Sequence, residues 1–417
     1  MLKEIFHEEN KGHFAPLNGV RALSIIFVIA FHAFFFSQYA FTDKEAFVQF
    51  SENLPWWLLW IRRGDMGVDI FFVLSSFLIG SQLFYEHNKK LKIDYRWFYI
   101  KRFLRIYPLY IFAIILYVLS GKNSGYFWAN LLAVNNFIDL KNILIPWSWS
   151  LSVEIQFYLL CPLFVVLFNK TKKKVFWFSF ILVTSLLWNI AVIYNEPELM
   201  TNSMMDILVG DNKELGLYYM ENLYVLPQAR FPAFYCGLLA AWLWVNKQEE
   251  IVTIVGRYSS YMPIVTLCLV VGVISLVSYN VFKPAIMFSQ FDYYFQMADK
   301  IIGRFIFSVF VTVLIILSLV RLQGGKLVYR FFSLPFFYPI AKVSYSMYLF
   351  HPPFLFLSFF IIFGEGKVSS ISTGNLFLLI SMAVLFSFIF GIFTYYLVER
   401  RFISKNIKNR LRQKYST

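Results

Sequence analysis

The stretch Ala15–Phe36, APLNGVRALSIIFVIAFHAFFF, is apolar apart from Arg21, His32 and the small polar residues Asn18 and Ser24. Roughly 20 such residues suffice to cross the hydrocarbon of a bilayer as a helix. Arg21 and His32 are eleven residues apart. At about 100° per residue that spacing returns them to nearly one face, with a rise of roughly 16 Å. One membrane helix would then carry an arginine near one end and a histidine about half a bilayer deeper. Ionisable groups in hydrocarbon are costly and face a protein interior or a water-filled path. The pair therefore points to a site buried in the membrane and approached along a helix axis.

Apolar runs of similar length recur along the whole 417-residue chain, which is 59% apolar, 21% aromatic and 15% charged. A soluble domain would carry about a quarter charged residues. The expected fold is all-α, a polytopic transmembrane bundle of about ten spans. They fall at roughly 16–38, 66–86, 101–120, 146–169, 174–194, 230–246, 260–281, 301–320, 339–363 and 375–399. Residues 1–15 form a cytoplasmic N-terminus in this reading, 16–399 the membrane domain and 400–417 a basic cytoplasmic tail, with no soluble domain appended. Pro352-Pro353 should kink the ninth span, because proline removes backbone hydrogen bonds.

The net charge of +14 does not imply nucleic acid, because the basic residues cluster between apolar runs. The runs Lys89, Lys90, Lys92 and Lys170, Lys172, Lys173, Lys174, with the tail from Arg400 to Lys414, fall on the side of the N-terminus. The long loop 195–229 on the other side carries Glu196, Glu198, Asp206, Asp211, Glu214 and Glu221. By the positive-inside rule both termini are expected in the cytoplasm. Cys161, Cys236 and Cys268 lie in apolar segments without metal-binding or disulfide spacing. The first apolar run contains His32 and lacks a small-residue cleavage site, so it does not read as a signal peptide.

Seven ionisable residues carry candidate chemistry. His32 suits acid–base work near neutral pH, or is a buried histidine bonded to a neighbouring helix. Asp69 enters the second span at a depth close to His32 and could orient an imidazole; a helix N-terminus also favours an aspartate there. Asp65, one turn earlier, reads as interfacial. Glu154 lies about 12 Å inside the fourth span, where a carboxylate needs a partner or a proton. Arg102 and Arg105 share a face at the start of the third span. They are either a positive-inside anchor or a phosphate clamp, since the guanidinium fork matches phosphate. Arg21 could join them or snorkel to headgroups. His351 lies mid-membrane beside Pro352-Pro353, and packing and function both fit it. Glu399, beside Arg400 and Arg401, reads as a local salt bridge. No nucleotide loop, nucleophile elbow or metal-ligand motif occurs.

Taken in order, LNGVRALSIIFVIAFH, GVDIFFVLSSFLI, IKRFLRIYPLY, WSLSVEIQFYLLCPL, SYSMYLFHPP and LVERRF resemble the acyltransferase family 3 membrane proteins, bacterial O-acetyltransferases of surface polysaccharides. The resemblance covers the chain almost end to end. It implies that His32 is catalytic and that Arg21, Arg102 and Arg105 serve an acyl-CoA donor, expected to be acetyl-CoA. Together with the residues read above, it suggests that Asp69 or Glu154 orients His32. The acceptor would be a hydroxyl of a glycan or lipid-linked saccharide on the outer face of the bacterial inner membrane, and no metal is required. Two departures stand out: Ser75-Ser76 replaces the family's usual Ser-Gly, and Asn18 stands where Asp or Thr is common. A transporter of an anionic or lipid-linked molecule is the main alternative, although the inverted repeat common in transporters is absent. A membrane scaffold is the other.

Overall fold

The computed structural model describes Ile5 and residues 14–90, 93–121 and 125–403. Most of the expected cytoplasmic N-terminus and tail lies outside these residues. Ten principal helices run α1 Pro16–Ser37, α2 Gly67–Lys90, α3 Tyr95–Leu119, α4 Trp149–Lys170, α5 Lys174–Asn195, α6 Pro227–Asn246, α7 Met262–Ser278, α8 Arg304–Val320, α9 Phe337–Phe363 and α10 Thr373–Thr394. Each matches one expected span. By length and hydropathy, seven helical segments among the described residues can cross a membrane. An eighth is added if α7 is joined to the preceding Gln248–Arg257 helix across a 105° bend. The apolar part of α5, Ser179–Asn195, is shorter. The described chain is a polytopic helical membrane bundle.

Small residues set the closest crossings, as expected where helices associate by packing rather than by the hydrophobic effect. Helix α2 lies along α6. A Cβ on Gly237 of α6 would run into Ser76 Oγ and the Val73 carbonyl of α2. The second serine of the Ser75-Ser76 pair is therefore a packing surface; its hydroxyl donates to the Phe72 carbonyl at 2.8 Å. Helix α9 packs on α10 and on α1, which brings His351 to the side of α1 that carries His32. Cys161 and Cys236 are buried free thiols, and Cys268 is an exposed one.

The prolines of α9 do not break it; the helix runs uninterrupted from Phe337 to Phe363. Pro352 and Pro353 have no N–H to give to the carbonyls four residues back, Tyr348 and Leu349. Both carbonyls find side-chain donors instead. Tyr348 O is contacted by His351 Nδ1 at 2.8 Å. Leu349 O accepts from Tyr117 Oη and from Trp147 Nε1, each at 3.1 Å. The same substitution occurs before Pro232 in α6, where the Gln228 carbonyl accepts from Ser185 Oγ at 2.6 Å.

Candidate active site

Of the cavities among the described residues, two lie within the bundle, one toward each end. The first, of about 600 Å³, lies at the end where α1 and α3 begin. Arg21 from α1, Lys101, Arg102 and Arg105 from α3, and Glu154 and Tyr158 from α4 line it. The three arginines singled out in the sequence thus converge on one chamber. Arg102 is held over the rings of Phe98 and Tyr158 at 5.7 and 5.9 Å, and its Nη2 donates to Gln82 Oε1 at 3.2 Å. Its Nε is buried without a hydrogen-bond partner among the described residues. Glu154 accepts from the Tyr158 hydroxyl, which lies 2.7 Å from Ser75 Oγ. Glu154 is therefore engaged on this chamber and not on His32. Glu399 is buried, and its Oε1 has no hydrogen-bond partner among the described residues, in contrast to the local salt bridge expected for it.

The second cavity, of about 260 Å³, lies at the opposite end and is lined by His32 together with Phe31, Phe35, Trp147 and Trp149. His32 Nδ1 sits 2.9 Å from Nε2 of His351. The chemistry of the partners fixes the tautomers. A backbone carbonyl can only accept, so His351 Nδ1 carries the hydrogen that it gives to Tyr348 O. In the neutral ring, His351 Nε2 is then an acceptor, and His32 Nδ1 must be the donor to it. The neutral His32 ring is left with its lone pair on Nε2. This arrangement suits a base: one nitrogen is anchored through a second residue and the other can take a proton. His351 is wholly buried, whereas His32 is half-buried at the cavity wall.

Val68 and Tyr348 belong to the walls of both cavities. The Tyr348 hydroxyl is 2.6 Å from Ser150 Oγ and donates to the Trp147 carbonyl. Tyr348 thus contributes its side chain to the partition and its carbonyl to His351.

Asp69, expected as a partner of His32, is committed elsewhere. It is 1% exposed and pairs with Arg304 Nη1 at 2.5 Å and Arg230 Nη1 at 3.3 Å. Two guanidinium groups outcompete a neutral imidazole for a carboxylate by simple Coulomb attraction. Asp65, read as interfacial, is buried as well and pairs with the same Arg304. Arg230 stacks on Tyr224 at 4.3 Å and on Trp149 at 4.9 Å. Beside this cluster, Arg63 holds Asp299 through two contacts of 2.7 and 2.9 Å. Two π-helical turns, Met220–Tyr224 and Asp299–Gly303, supply Tyr224, Asp299 and Lys300; such turns often mark functional sites. Arg230, Arg304 and the Arg63–Asp299 pair were not among the sequence candidates. An arginine inside or at the edge of an apolar run was the available signal. Among the described residues, no group of three or more His, Cys, Asp or Glu side chains is placed to hold a metal ion.

The chain is similar to several curated acetyltransferases. It is 23% identical over 372 residues to the O-acetyltransferase OatA of Staphylococcus aureus, covering 81% of this chain and 50% of that protein. It is 29% identical over 183 residues to the peptidoglycan O-acetyltransferase OatA of Listeria monocytogenes, covering 38% and 25%. A third relative is nose resistant to fluoxetine protein 6 of Caenorhabditis elegans, 26% identical over 285 residues and covering 58% and 34%. The chain thus spans between a quarter and half of the length of these relatives. No solved structure matches it significantly. The sequence model of the acyltransferase domain family matches residues 14–396, nearly the whole bundle with both cavities, and the chain belongs to that family.

Proposed function

We propose that this protein is a membrane O-acyltransferase that moves an acyl group from acyl-CoA, acetyl-CoA in the simplest case, to a hydroxyl of an envelope glycan. The observation that carries the reading is the His32–His351 pair on the wall of one cavity, with a basic cavity immediately behind a shared partition. The phosphates of CoA match Arg21, Arg102 and Arg105, since guanidinium groups bind phosphate oxygens through paired hydrogen bonds. With the N-terminus in the cytoplasm, the basic cavity faces the compartment that holds CoA and the His32 cavity faces outward. The membrane is then the bacterial inner membrane.

Transfer needs the thioester carbonyl to reach past Val68 and Tyr348 to His32. The acceptor hydroxyl attacks that carbonyl, and its proton passes to His32 Nε2. The carbon–sulfur bond breaks as the new ester bond forms. The departing thiolate takes the proton back from His32, which regenerates the neutral base and yields CoA thiol. His351 acts through His32. Its Nε2 holds the donor tautomer before reaction and supports the imidazolium formed during it. Metal chemistry is not needed in this scheme, because the thioester supplies the driving force. The partition supports a transferase over a transporter, since only the small acyl group has to cross it.

The test is acetyl transfer from labelled acetyl-CoA by protein in nanodiscs, combined with mass spectrometry of envelope glycans from cells with and without the protein. A mass difference of one acetyl unit on a glycan is the expected result. His32→Gln, which keeps the size of the side chain but cannot shuttle a proton, should lower turnover by about 10² or more. Substantial turnover by His32→Gln, or unchanged glycans in cells lacking the protein, would refute the proposal.

A further inference from the structure

The charges lining the His32 cavity do not cancel. Its wall holds four cations, Arg62, Arg63, Lys300 and Arg304, against two carboxylates, Asp65 and Asp299. Both carboxylates are already taken, Asp65 by Arg304 and Asp299 by Arg63. Asp69, just behind the wall, is shared by Arg304 and Arg230. Among the described residues the hydrogen bonds of Lys300 and Arg62 go to backbone carbonyls, those of Asn202 and Ser51. Carboxylates act on them only from beyond hydrogen-bond distance, Asp299 and Asp206 on Lys300 and Glu52 on Arg62. Arg62 is 3% exposed, and among the described residues neither its Nε nor Nη2 of the buried Arg230 has a hydrogen-bond partner. Asp206 and Glu52 stand behind these cations and off the cavity wall. They are engaged by Ser203 and the Ala285 N–H, and by Asn280, respectively. A carbonyl dipole offsets only part of the cost of holding a full charge out of water. The cavity is therefore prepared for an anion beside the base, amid aromatic side chains that suit the apolar face of a sugar ring.

We infer that the acceptor is anionic: the saccharide that presents its hydroxyl to His32 carries a carboxylate or phosphate group that Lys300 and Arg62 bind. This rests on the reading of the His32 cavity as the acceptor side. The ligand chemistry is an anionic oxygen group on a sugar. Its source is either an acidic sugar residue or the diphosphate of a lipid-linked saccharide.

The test is equilibrium binding by titration calorimetry to protein in nanodiscs, with three probes: an octyl glucoside, an octyl glucuronide and a short polyprenyl diphosphate glucose. The expected result is that one anionic probe binds at least about tenfold more tightly than the neutral glucoside, as a charge-assisted hydrogen bond predicts. Which anionic probe gains identifies the source. The double variant Arg62→Gln with Lys300→Gln should reduce the preference to about twofold or less by the same reasoning. If that variant does not reconstitute, Lys300→Gln is read against Lys300→Arg, which keeps the charge and should keep the preference. No preference in the unaltered protein, or a preference that survives loss of both cations, overturns the inference. CoA binding, titrated on the same samples, reports the donor side separately. Lost CoA binding with an intact anion preference would refute the donor assignment and leave the anionic acceptor standing.

Discussion

Replacing His351 with alanine removes the acceptor of the His32 Nδ1 hydrogen, 2.9 Å away, while leaving His32 itself in place. In the ground state His32 is neutral, and the lost bond is an ordinary one. As His32 takes the hydroxyl proton the bond becomes charge-assisted, and such bonds contribute about 1.5–3 kcal/mol. An ordinary bond contributes about 0.5–1.5 kcal/mol, so the loss specific to the transition state is about 1–2 kcal/mol and kcat should drop by about 5- to 30-fold. The KM for acyl-CoA should stay within about twofold, because the ordinary bond is lost equally from the free protein and from its complex with the donor. His351→Gln should recover part of the loss, since its amide oxygen can accept from His32 Nδ1. The double variant with His32→Ala should be no slower than His32→Ala alone, because residues that act as one unit are not additive. The assay is acetyl transfer per mole of inserted protein across a donor titration. Wild-type kcat in His351→Ala, or a loss seen wholly in KM, would refute the role given to the pair.

The other expectations concern the donor chamber, the proline pair and the topology. Arg102→Gln with Arg105→Gln should weaken CoA binding by well over about tenfold, at 1.5–3 kcal/mol per charge-assisted contact; unchanged affinity in a titration would return these residues to the role of a membrane anchor. Pro352→Ala gives α9 an N–H that competes with His351 for the Tyr348 carbonyl, so kcat should fall by about fivefold, the equivalent of about 1 kcal/mol. Thermal stability should hold or rise, since proline is unfavourable inside a helix; a fall in stability with unchanged kcat would contradict that account. Cysteines placed at Lys172 and Lys173 should be protected from an impermeant reagent in intact cells, and those placed between 200 and 225 should be labelled. The reverse pattern would invert the proposed orientation.

The helices were legible because the bilayer imposes a length and an apolar composition that a single sequence displays directly. All ten expected spans contain a helix, and the ends of α1 and α9 fall within a residue or two of expectation. The convergence of Arg21, Arg102 and Arg105 on one chamber was approachable for a related reason: each ionisable group in an apolar run needs polar company. The identity of that company was not legible. His32 and His351 are 319 residues apart, and no local pattern states that α9 packs on α1. Asp69 looked available to His32 from its depth alone. Depth does not reveal that Arg230 and Arg304 reach the same point from α6 and α8 with full charges. Arg230 was further obscured by its place at the expected start of a span, where an arginine reads as an interfacial anchor.

The proline pair joins the fold to the chemistry. A helix that crosses a membrane satisfies its backbone internally, and a carbonyl left over is costly in hydrocarbon. Pro352 and Pro353 create two such carbonyls in adjacent positions, and the bundle meets both with side chains. One carbonyl holds Tyr117 and Trp147 and so ties α9 to α3 and to the segment leading into α4. The other holds His351 Nδ1. A histidine in an intact helix would find its own backbone carbonyls occupied, and its tautomer would be set by whatever neighbour came within reach. Here the fixed acceptor lies on the same helix, three residues away, so the orientation of His351 follows from local sequence once α9 forms. The only distant contact the base requires is the one between the two rings, which the packing of α9 on α1 supplies. The catalytic geometry proposed here therefore depends on two helices and a missing N–H, and the carboxylates nearby are left to balance arginines.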